Sequence, residues 1–193
     1  TRVGGTPISL GIARDRADDL RDLLAKAVGL DLLLTTGGVS VGDYDLVKHV
    51  LRREGRIDIW QVCIKPGKPL AFGWIGDTPL LGLPGNPVAA AVAFEQFARP
   101  AMRRMLGDPN LTIPTVTARL AERIENRGGR RHFVRVAVRA TPDGYQAHVA
   151  GGQGSSVLST LANANGLLVI PEDVPVAESG TCFPVQMLDW DLT

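Results

Sequence analysis

The sequence predicts an α/β domain built on an open three-layer sheet, followed by a small all-β domain that resembles a barrel. Up to residue 107, apolar runs of strand length alternate with amphipathic helical stretches, which is typical of a sheet covered by helices. From residue 108 onward the pattern changes to short strands separated by turns, with a hairpin signal at Asp143-Gly144. We therefore assign residues 1–107 to the first domain and residues 108–193 to the second.

Each predicted element follows from the spacing of its apolar residues. In the first domain we expect strands at 7–12, 30–35, 57–64, 70–75 and 79–83, and helices at 16–28, 44–54 and 87–105. In the second we expect strands at 114–122, 132–140, 144–150, 167–170 and 182–187, with a short helix or turn near 156–162. Asp15 is expected to cap the first helix. Pro100 should kink or weaken the last helix of the first domain, because proline lacks a backbone N–H.

Composition excludes several classes of protein. Hydrophobic residues make up 45% and charged residues 21% of the chain, which are ordinary values for a globular protein with a core. A net charge of +1, without a basic stripe interleaved with aromatics, argues against nucleic-acid binding. No apolar run is long enough to span a membrane, so we expect a cytoplasmic protein. The two cysteines are expected to be free thiols, and the three histidines show no metal-ligand spacing.

A glycine-rich loop follows the strand predicted at 30–35. Its sequence is Thr-Thr-Gly-Gly-Val-Ser-Val-Gly-Asp-Tyr-Asp, residues 35–45, and a helix comes directly after it. Three glycines let the backbone approach a ligand closely, and the start of a helix attracts anions. Asp43 and Asp45 stand where that helix begins, and a carboxylate beside a phosphate pocket suggests a bridging Mg²⁺. The alternative interpretation makes Asp43 a helix cap and the glycines turn residues.

A second loop of this kind, Pro84-Gly85-Asn86-Pro87, follows the strand predicted at 79–83. Asn86 suits the N-cap and Pro87 the first helical position, and capping alone is the alternative role for Asn86. Between the two loops, Lys65 and Lys68 are flanked by prolines, although the chain has only four lysines against seventeen arginines. Paired ammonium groups near two helix starts favour a phosphorylated or oxyanionic ligand over a solvated surface turn.

These three segments, in this order, resemble the molybdopterin molybdotransferases, the MoeA and gephyrin E-domain type of molybdenum-cofactor biosynthesis protein. The second half agrees, because residues 131–136 (Arg-His-Phe-Val-Arg-Val), 151–156 (Gly-Gly-Gln-Gly-Ser-Ser) and 161–167 (Leu-Ala-Asn-Ala-Asn-Gly-Leu) look like the family's C-terminal domain. The resemblance covers nearly the whole chain. It implies the family's molybdopterin-binding fold, truncated at its N-terminus, in a chain that is the C-terminal part of a longer protein.

The resemblance also implies an activity and a set of site residues. The reaction would insert molybdate into adenylylated molybdopterin, with release of AMP and a need for Mg²⁺, in a protein that is a homodimer at full length. The pterin nucleotide would be bound by Thr36, Gly37, Gly38, Ser40, Gly42, Pro84, Gly85, Asn86 and Pro87. Molybdate would be held by Lys65, Lys68, Arg135 and Ser155. Asp15 and Asp45 would handle the metal or the nucleotide phosphate, and they complete the catalytic set with the two lysines.

Convergence of the molybdate residues on one cleft is the geometric expectation of this hypothesis. Ser155 follows a glycine-rich loop that can bring backbone close to an anion. The alternative makes Arg135 a strand residue whose head lies in solvent.

Two other functions stay open at this point. A molybdopterin adenylyltransferase would share the first glycine loop, but it has no use for the β-rich part after residue 114. A non-catalytic binding or scaffold module would not need Lys65, Lys68, Asp15 and Asp45, which are all present.

Overall fold

The computed structural model describes residues 3–14, 16–38, 50, 53, 55–154 and 157–188, and the chain forms two compact units. The first unit comprises Thr1–Val62 and Gly67–Leu111, and the second comprises Cys63–Pro66 and Thr112–Thr193. The chain therefore enters the second unit briefly at residues 63–66 before it completes the first. The first unit is α/β and the second is a barrel, which confirms the predicted fold class. The domain boundary predicted after residue 107 stays a prediction.

The sheet of the first unit has four strands among the described residues. They are β1 (Leu33–Thr36), β2 (Arg56–Gln61), β4 (Pro69–Ile75) and β5 (Thr78–Leu83), whereas β3 (Ile64–Lys65) belongs to the second unit. Their order is β1-β5-β4-β2, with β1 and β5 parallel and the other pairs antiparallel. Because β1 and β5 run in the same direction, their carboxyl ends meet at one edge of the sheet.

Helix α1 (Ala17–Ala25) packs Leu20 and Leu24 against the sheet in a cluster that includes Leu33 and Leu80. Arg16 occupies its N-cap position without a side-chain hydrogen bond, and Asp15, the predicted cap, lies outside the described residues.

The predicted helix 87–105 is interrupted, as its proline indicated. It consists of α2 (Pro87–Ala93), a π-helical turn (Phe94–Ala98) and α3 (Arg99–Met105), which contains Pro100 in its first turn. Proline cannot donate to the carbonyl four residues earlier and its ring clashes with that group, so a wider turn just before it relieves the conflict. The interruption was therefore predicted, although its π-helical form was not.

The strand predicted at 7–12 is wrong. Residues 5–14 have no helix or strand, and Ile12 is 95% exposed. Its short apolar run fits strand spacing, but a strand forms only where a neighbour supplies hydrogen-bond partners. The helix predicted at 44–54 lies mostly outside the described residues, of which residues 50 and 53 are helical.

The second unit is a closed barrel. Its strands are β6 (Thr115–Leu120), β7 (Ile124–Glu125), β8 (Arg131–Thr141), β9 (Gly144–Val149), β10 (Gly166–Ile170), β11 (Val176–Ala177) and β12 (Cys182–Met187), with one short helix, α4 (Ser159–Ala162). Five strands pair in the ring β8-β10-β12-β6-β9 and back to β8. Strand β3 adds to β8 in parallel, and β7 pairs with β11 outside the ring. The hairpin predicted at Asp143-Gly144 joins β8 to β9.

Alternate residues of the barrel strands fill its interior. Val134, Val136 and Val138 of β8 pack with Leu168 and Ile170 of β10 in one buried cluster. Burying a side chain of this size stabilises the fold by about 1.5–3 kcal/mol. The barrel therefore has a core of its own.

We expect Leu168→Ala to lower the free energy of unfolding of the second unit by about 2–5 kcal/mol, because it leaves a cavity at a fully buried position. Leu158→Ala is the matched control, since Leu158 is 56% exposed and its truncation should cost less than about 0.5 kcal/mol. Urea titration followed by circular dichroism measures both changes. Equal losses in the two variants would contradict the assignment of the core.

Candidate functional site

The two predicted loops leave the sheet side by side. Thr36 at the end of β1 is the register partner of Leu83 at the end of β5, and the backbone N–H of Gly37 donates to the Leu83 carbonyl at 3.1 Å. Both chains therefore turn at the carboxyl edge of the parallel pair. Ligands of open α/β sheets bind at this edge.

Glycine is required where these loops touch. A Cβ atom on Gly85 would lie 3.2 Å from the Cα of Gly37, which is closer than side chains normally approach a backbone. Gly37 and Gly38 have φ angles of +84° and +67°, in the left-handed region that favours glycine. The sequence identified these glycines as loop residues, but their contact with each other appears only in the structure.

Asn86 caps helix α2. Its Oδ1 accepts hydrogen bonds from the backbone N–H groups of Val88 at 3.1 Å and Ala89 at 3.3 Å, and its carbonyl accepts from Ala90. The first free donors of this helix are thus already occupied, in agreement with the capping interpretation. Pro84 is buried, whereas Thr36 and Pro87 are exposed at the same edge. Binding of a pterin by these residues stays a prediction, and Ser40, Gly42, Asp45 and Asp15 lie outside the described residues.

The two lysines belong to different units. Lys65 is the second residue of β3 and the register partner of His132 in β8, and its side chain is half-buried. Lys68 lies in the first unit, where it is exposed and its carbonyl accepts a hydrogen bond from Val62. The structure therefore brings Lys65 beside His132, a neighbour that the sequence did not indicate.

Arg135 is the largest fully buried side chain among the described residues. Its Nε donates to Thr160 Oγ1 at 3.0 Å, and its Nη2 donates to the carbonyls of Gly152 at 3.3 Å and Gly154 at 3.1 Å. Burial lowers the pKa of this guanidinium. The alternative that places the head of Arg135 in solvent is therefore wrong.

Gln153 fixes the same loop from the other side. Its Oε1 accepts from the Arg135 backbone N–H at 2.9 Å, and its Nε2 donates to the carbonyls of Arg135 and Gly151. Arg135 and Gln153 together hold the glycine-rich segment 151–154 against β8. The Nη1 of Arg135 has no partner among the described residues, and Ser155, the next residue of the loop, lies outside them. The role of Arg135 in binding molybdate stays a prediction.

A basic cluster surrounds His132. The sequence places Arg127, Arg130, Arg131 and Arg135 close together, but around Gly128-Gly129 they are interpreted first as a loop. His132 is 2% exposed, and burial lowers its pKa to about 4, with further contributions from the charges of Lys65, Arg135 and Arg130. The absence of metal-ligand spacing favours a structural role over a metal-binding one for each of the three histidines. The burial of His132 among these cations appears only in the structure.

The described part of the chain contains neither a cluster of metal-ligating side chains nor a helix that could span a membrane. No three side chains of His, Cys, Asp or Glu stand close enough there to hold a metal ion. None of its helices is long and apolar enough to cross a membrane. Cys63 and Cys182 are exposed free thiols, as expected.

We expect Gly85→Ala to destabilise the first unit by about 1–3 kcal/mol, because the added methyl group forces the Gly37 backbone to move. Gly152→Ala is the control, since a Cβ atom there meets nothing within 4 Å and its φ needs no glycine. Thermal unfolding measures the two effects, and amide chemical shifts of Gly37 report the displacement. An unshifted Gly37 in Gly85→Ala would refute the contact.

We expect Arg135→Met to destabilise the second unit by about 3 kcal/mol or more, because two carbonyls lose hydrogen bonds worth roughly 1.5–3 kcal/mol each. Arg139→Met, on the same strand but exposed, removes the same charge and should cost less than about 0.5 kcal/mol. Denaturant titration compares them. The interpretation fails if Arg135→Met is as stable as the control.

Comparison with known proteins identifies both parts of the chain. Residues 1–104 match the family described as "Probable molybdopterin binding domain", and residues 117–188 match the "MoeA C-terminal region (domain IV)". A solved structure of a molybdopterin biosynthesis MoeA protein from Pyrococcus horikosii is 30% identical, with a TM-score of 0.81 over 98% of this chain and 45% of that one.

Curated relatives agree with these matches. A protein of Mycobacterium tuberculosis named "Molybdopterin molybdenumtransferase 2" is 38% identical over 201 residues, which cover 99% of this chain and 47% of the relative. A "Molybdopterin molybdenumtransferase" of Haemophilus influenzae is 33% identical over 187 residues, covering 94% and 46%. The chain thus spans about half the length of these relatives. The MoeA-type C-terminal region follows the first matched domain in this chain. Because the molybdopterin-binding domain model matches more than half of the residues of the chain, the chain belongs to that family.

Proposed function

We propose that this chain acts in molybdenum-cofactor biosynthesis, as part of a transferase that inserts molybdate into adenylylated molybdopterin and releases AMP. The observation that carries the proposal is the contact of Gly37 with Gly85 at the carboxyl edge of β1 and β5. Glycine lets the backbones of the two loops meet at this edge, which is where ligands of open α/β sheets bind. Family membership and the names of the relatives support the same chemistry.

In this proposal the loop edge of the first unit binds the pterin nucleotide. Gly37, Gly38 and Gly85 allow close approach, while the exposed Thr36 supplies a hydroxyl group. Pro84 and Pro87 stiffen the second loop, and Asn86 fixes the direction of α2 through its cap. Ser40 and Gly42 are assigned to the same pocket on the resemblance.

Molybdate, a dianion, requires cations and hydrogen-bond donors. The positive charges of Lys65, Arg135 and Arg130 all act on the buried His132 and lower its pKa. Such a concentration of positive charge favours an anionic ligand. Lys68, Arg135 and Ser155 complete the molybdate set on the resemblance. Because Arg135 lies on the face of β8 opposite to Lys65, it would act through loop 151–154, which it anchors just before Ser155.

Magnesium is the proposed cofactor. Asp15 and Asp45 would bind it, since carboxylate oxygens are the ligands that this hard cation prefers. When bound, Mg²⁺ would neutralise phosphate charge. Both aspartates lie outside the described residues, so the assignment rests on their chemistry and on the resemblance.

We assign pterin binding to residues 1–107 and completion of the molybdate site to residues 108–193. We also propose that the complete protein is a cytoplasmic homodimer. The match of residues 117–188 to the MoeA C-terminal region supports a molybdotransferase over a stand-alone adenylyltransferase. Molybdate-dependent turnover would distinguish it from a scaffold module, and light scattering would test the dimer.

We expect Lys65→Ala and Lys68→Ala each to weaken molybdate binding about tenfold or more, because a hydrogen bond from a charged group contributes roughly 1.5–3 kcal/mol. Lys26→Ala, which removes the same charge from an exposed position after α1, is the control and should bind as the wild type does. Calorimetric titration gives affinity, and AMP release from adenylylated molybdopterin gives turnover. Unchanged affinity in the Lys65→Ala/Lys68→Ala double variant would reject the site.

We expect Asp45→Asn to abolish Mg²⁺-dependent AMP release while pterin binding persists, because asparagine keeps the shape of aspartate but lacks its charge. A Mg²⁺ titration of AMP release, with pterin binding measured in parallel, tests this. Full activity at every Mg²⁺ concentration would show that Asp45 is not a metal ligand. Asp31→Asn is the control, since Asp31 is exposed in the same unit and lies outside the proposed site.

A further inference from the structure

His132 is a buried histidine whose polar atoms lack partners. The residue is 2% exposed, and neither Nδ1 nor Nε2 finds a hydrogen-bond partner among the described residues. A buried polar atom left unpaired destabilises the fold, and an apolar side chain would avoid that cost. A histidine at this position is therefore expected to find a partner when a ligand binds.

The pairing of the strands indicates which neighbouring residue could be the hydrogen-bond partner of His132. Lys65 is the register partner of His132 in the parallel pair of β3 and β8, and directly adjacent residues of a sheet project from the same face. Arg135 lies three positions further along β8, on the opposite face, and its Nε and Nη2 are bound to Thr160 and to loop 151–154. Lys65 is half-buried and carries a long, rotatable side chain, so its ammonium can reach the imidazole.

The charge state of His132 suits an acceptor. Burial lowers its pKa to about 4, and the positive charges of Lys65 on β3, Arg135 on β8 and Arg130 before β8 act in the same direction. The neighbour on the other side of β8 is the apolar Ile170 of β10. At neutral pH the ring is therefore uncharged, with one N–H and one lone pair. A lone pair can accept from an ammonium group without adding positive charge to the cluster.

We propose that His132 is a positioning residue, whose unprotonated ring nitrogen accepts a hydrogen bond from the Lys65 ammonium and directs that group toward a bound oxyanion. The inference rests on the proposed function, in which Lys65 holds molybdate. Fixing a lysine side chain in one orientation costs conformational entropy, because the side chain has four rotatable bonds. The His132 ring nitrogen, fixed beside Lys65, would stabilise the one orientation of the lysine side chain that oxyanion binding requires.

Three substitutions separate this role from simple packing. His132→Leu removes the acceptor but keeps the volume apolar, whereas His132→Asn and His132→Gln place an amide oxygen near the former Nδ1 and Nε2. We expect His132→Leu to weaken molybdate binding about tenfold, the equivalent of one lost charged hydrogen bond. At least one amide variant should stay within about threefold of the wild type. His148→Leu is the control, since the His148 side chain is 39% exposed and contacts Glu122.

The titration is run by calorimetry on the whole chain at pH 7.5, in HEPES and in Tris, which differ in heat of protonation. Equal binding heats in the two buffers are expected, because a neutral His132 takes up no proton. Wild-type affinity in His132→Leu would overturn the inference, and so would equal losses in all three variants, since that outcome indicates packing alone. Proton uptake that disappears in His132→Leu would also overturn it, by showing a charged imidazole.

The outcomes separate this inference from the proposed function. Molybdate binding that depends on Lys65 but not on His132 overturns the inference and leaves the proposed function standing. No molybdate binding by the wild-type chain overturns both. Circular dichroism melting of each variant confirms folding, and should His132→Leu fail to fold, the requirement that one amide variant retains affinity still decides the matter.

Discussion

Hydrogen bonding of strand β8 to three other strands is the constraint on which the second unit depends. The first half of its eleven residues pairs with β10, the second half pairs with β9, and its start pairs with β3. The pairings with β10 and β9 close the barrel, and the pairing with β3 places Lys65 beside His132. The same strand carries Arg135, which anchors loop 151–154. The stability of the second unit and the proposed chemistry therefore both depend on β8. A substitution on β8 that lowers activity must be compared with a control substitution on the same strand.

The first unit obtains its candidate pocket from a parallel pair of strands. Because β1 and β5 end together, two loops that are distant in sequence come into contact through Gly37 and Gly85. The side chain of Asn86 accepts hydrogen bonds from the first backbone N–H groups of α2. Because those groups are occupied, the start of this helix shapes the candidate pocket and does not donate these hydrogen bonds to a ligand. An incoming pterin would then bind where the glycines let it come close to the backbone.

Sequence patterns predicted the longer elements well. Strands β5, β8 and β12 fall within one residue of their predicted ends, because apolar runs and alternation mark buried strands. Strands β7 and β11 have two residues each and were missed, since no period is visible over so short a stretch. The strand at 7–12 was wrong because pairing, and not spacing, decides whether an extended segment becomes a strand.

The site was predicted only in part, for a physical reason. Glycine-rich segments and closely spaced lysines are local sequence patterns, and these patterns predicted the loops. Burial of His132 and the bonds of Arg135 depend on residues far along the chain, such as Gly152 and Thr160, and no local pattern contains them. Side-chain partners across a barrel are set by register, which the structure alone provides.

The central claim is that this chain binds a pterin at the glycine loops of its first unit. The most direct test purifies the chain, oxidises any bound pterin to its fluorescent product, and compares the wild type with Gly85→Ala and with Gly152→Ala. We expect fluorescence from the wild type and from Gly152→Ala, and its loss in Gly85→Ala, because the added methyl group displaces the Gly37 backbone from the pterin site. Absence of fluorescence from the wild type, or equal fluorescence in all three proteins, would contradict it.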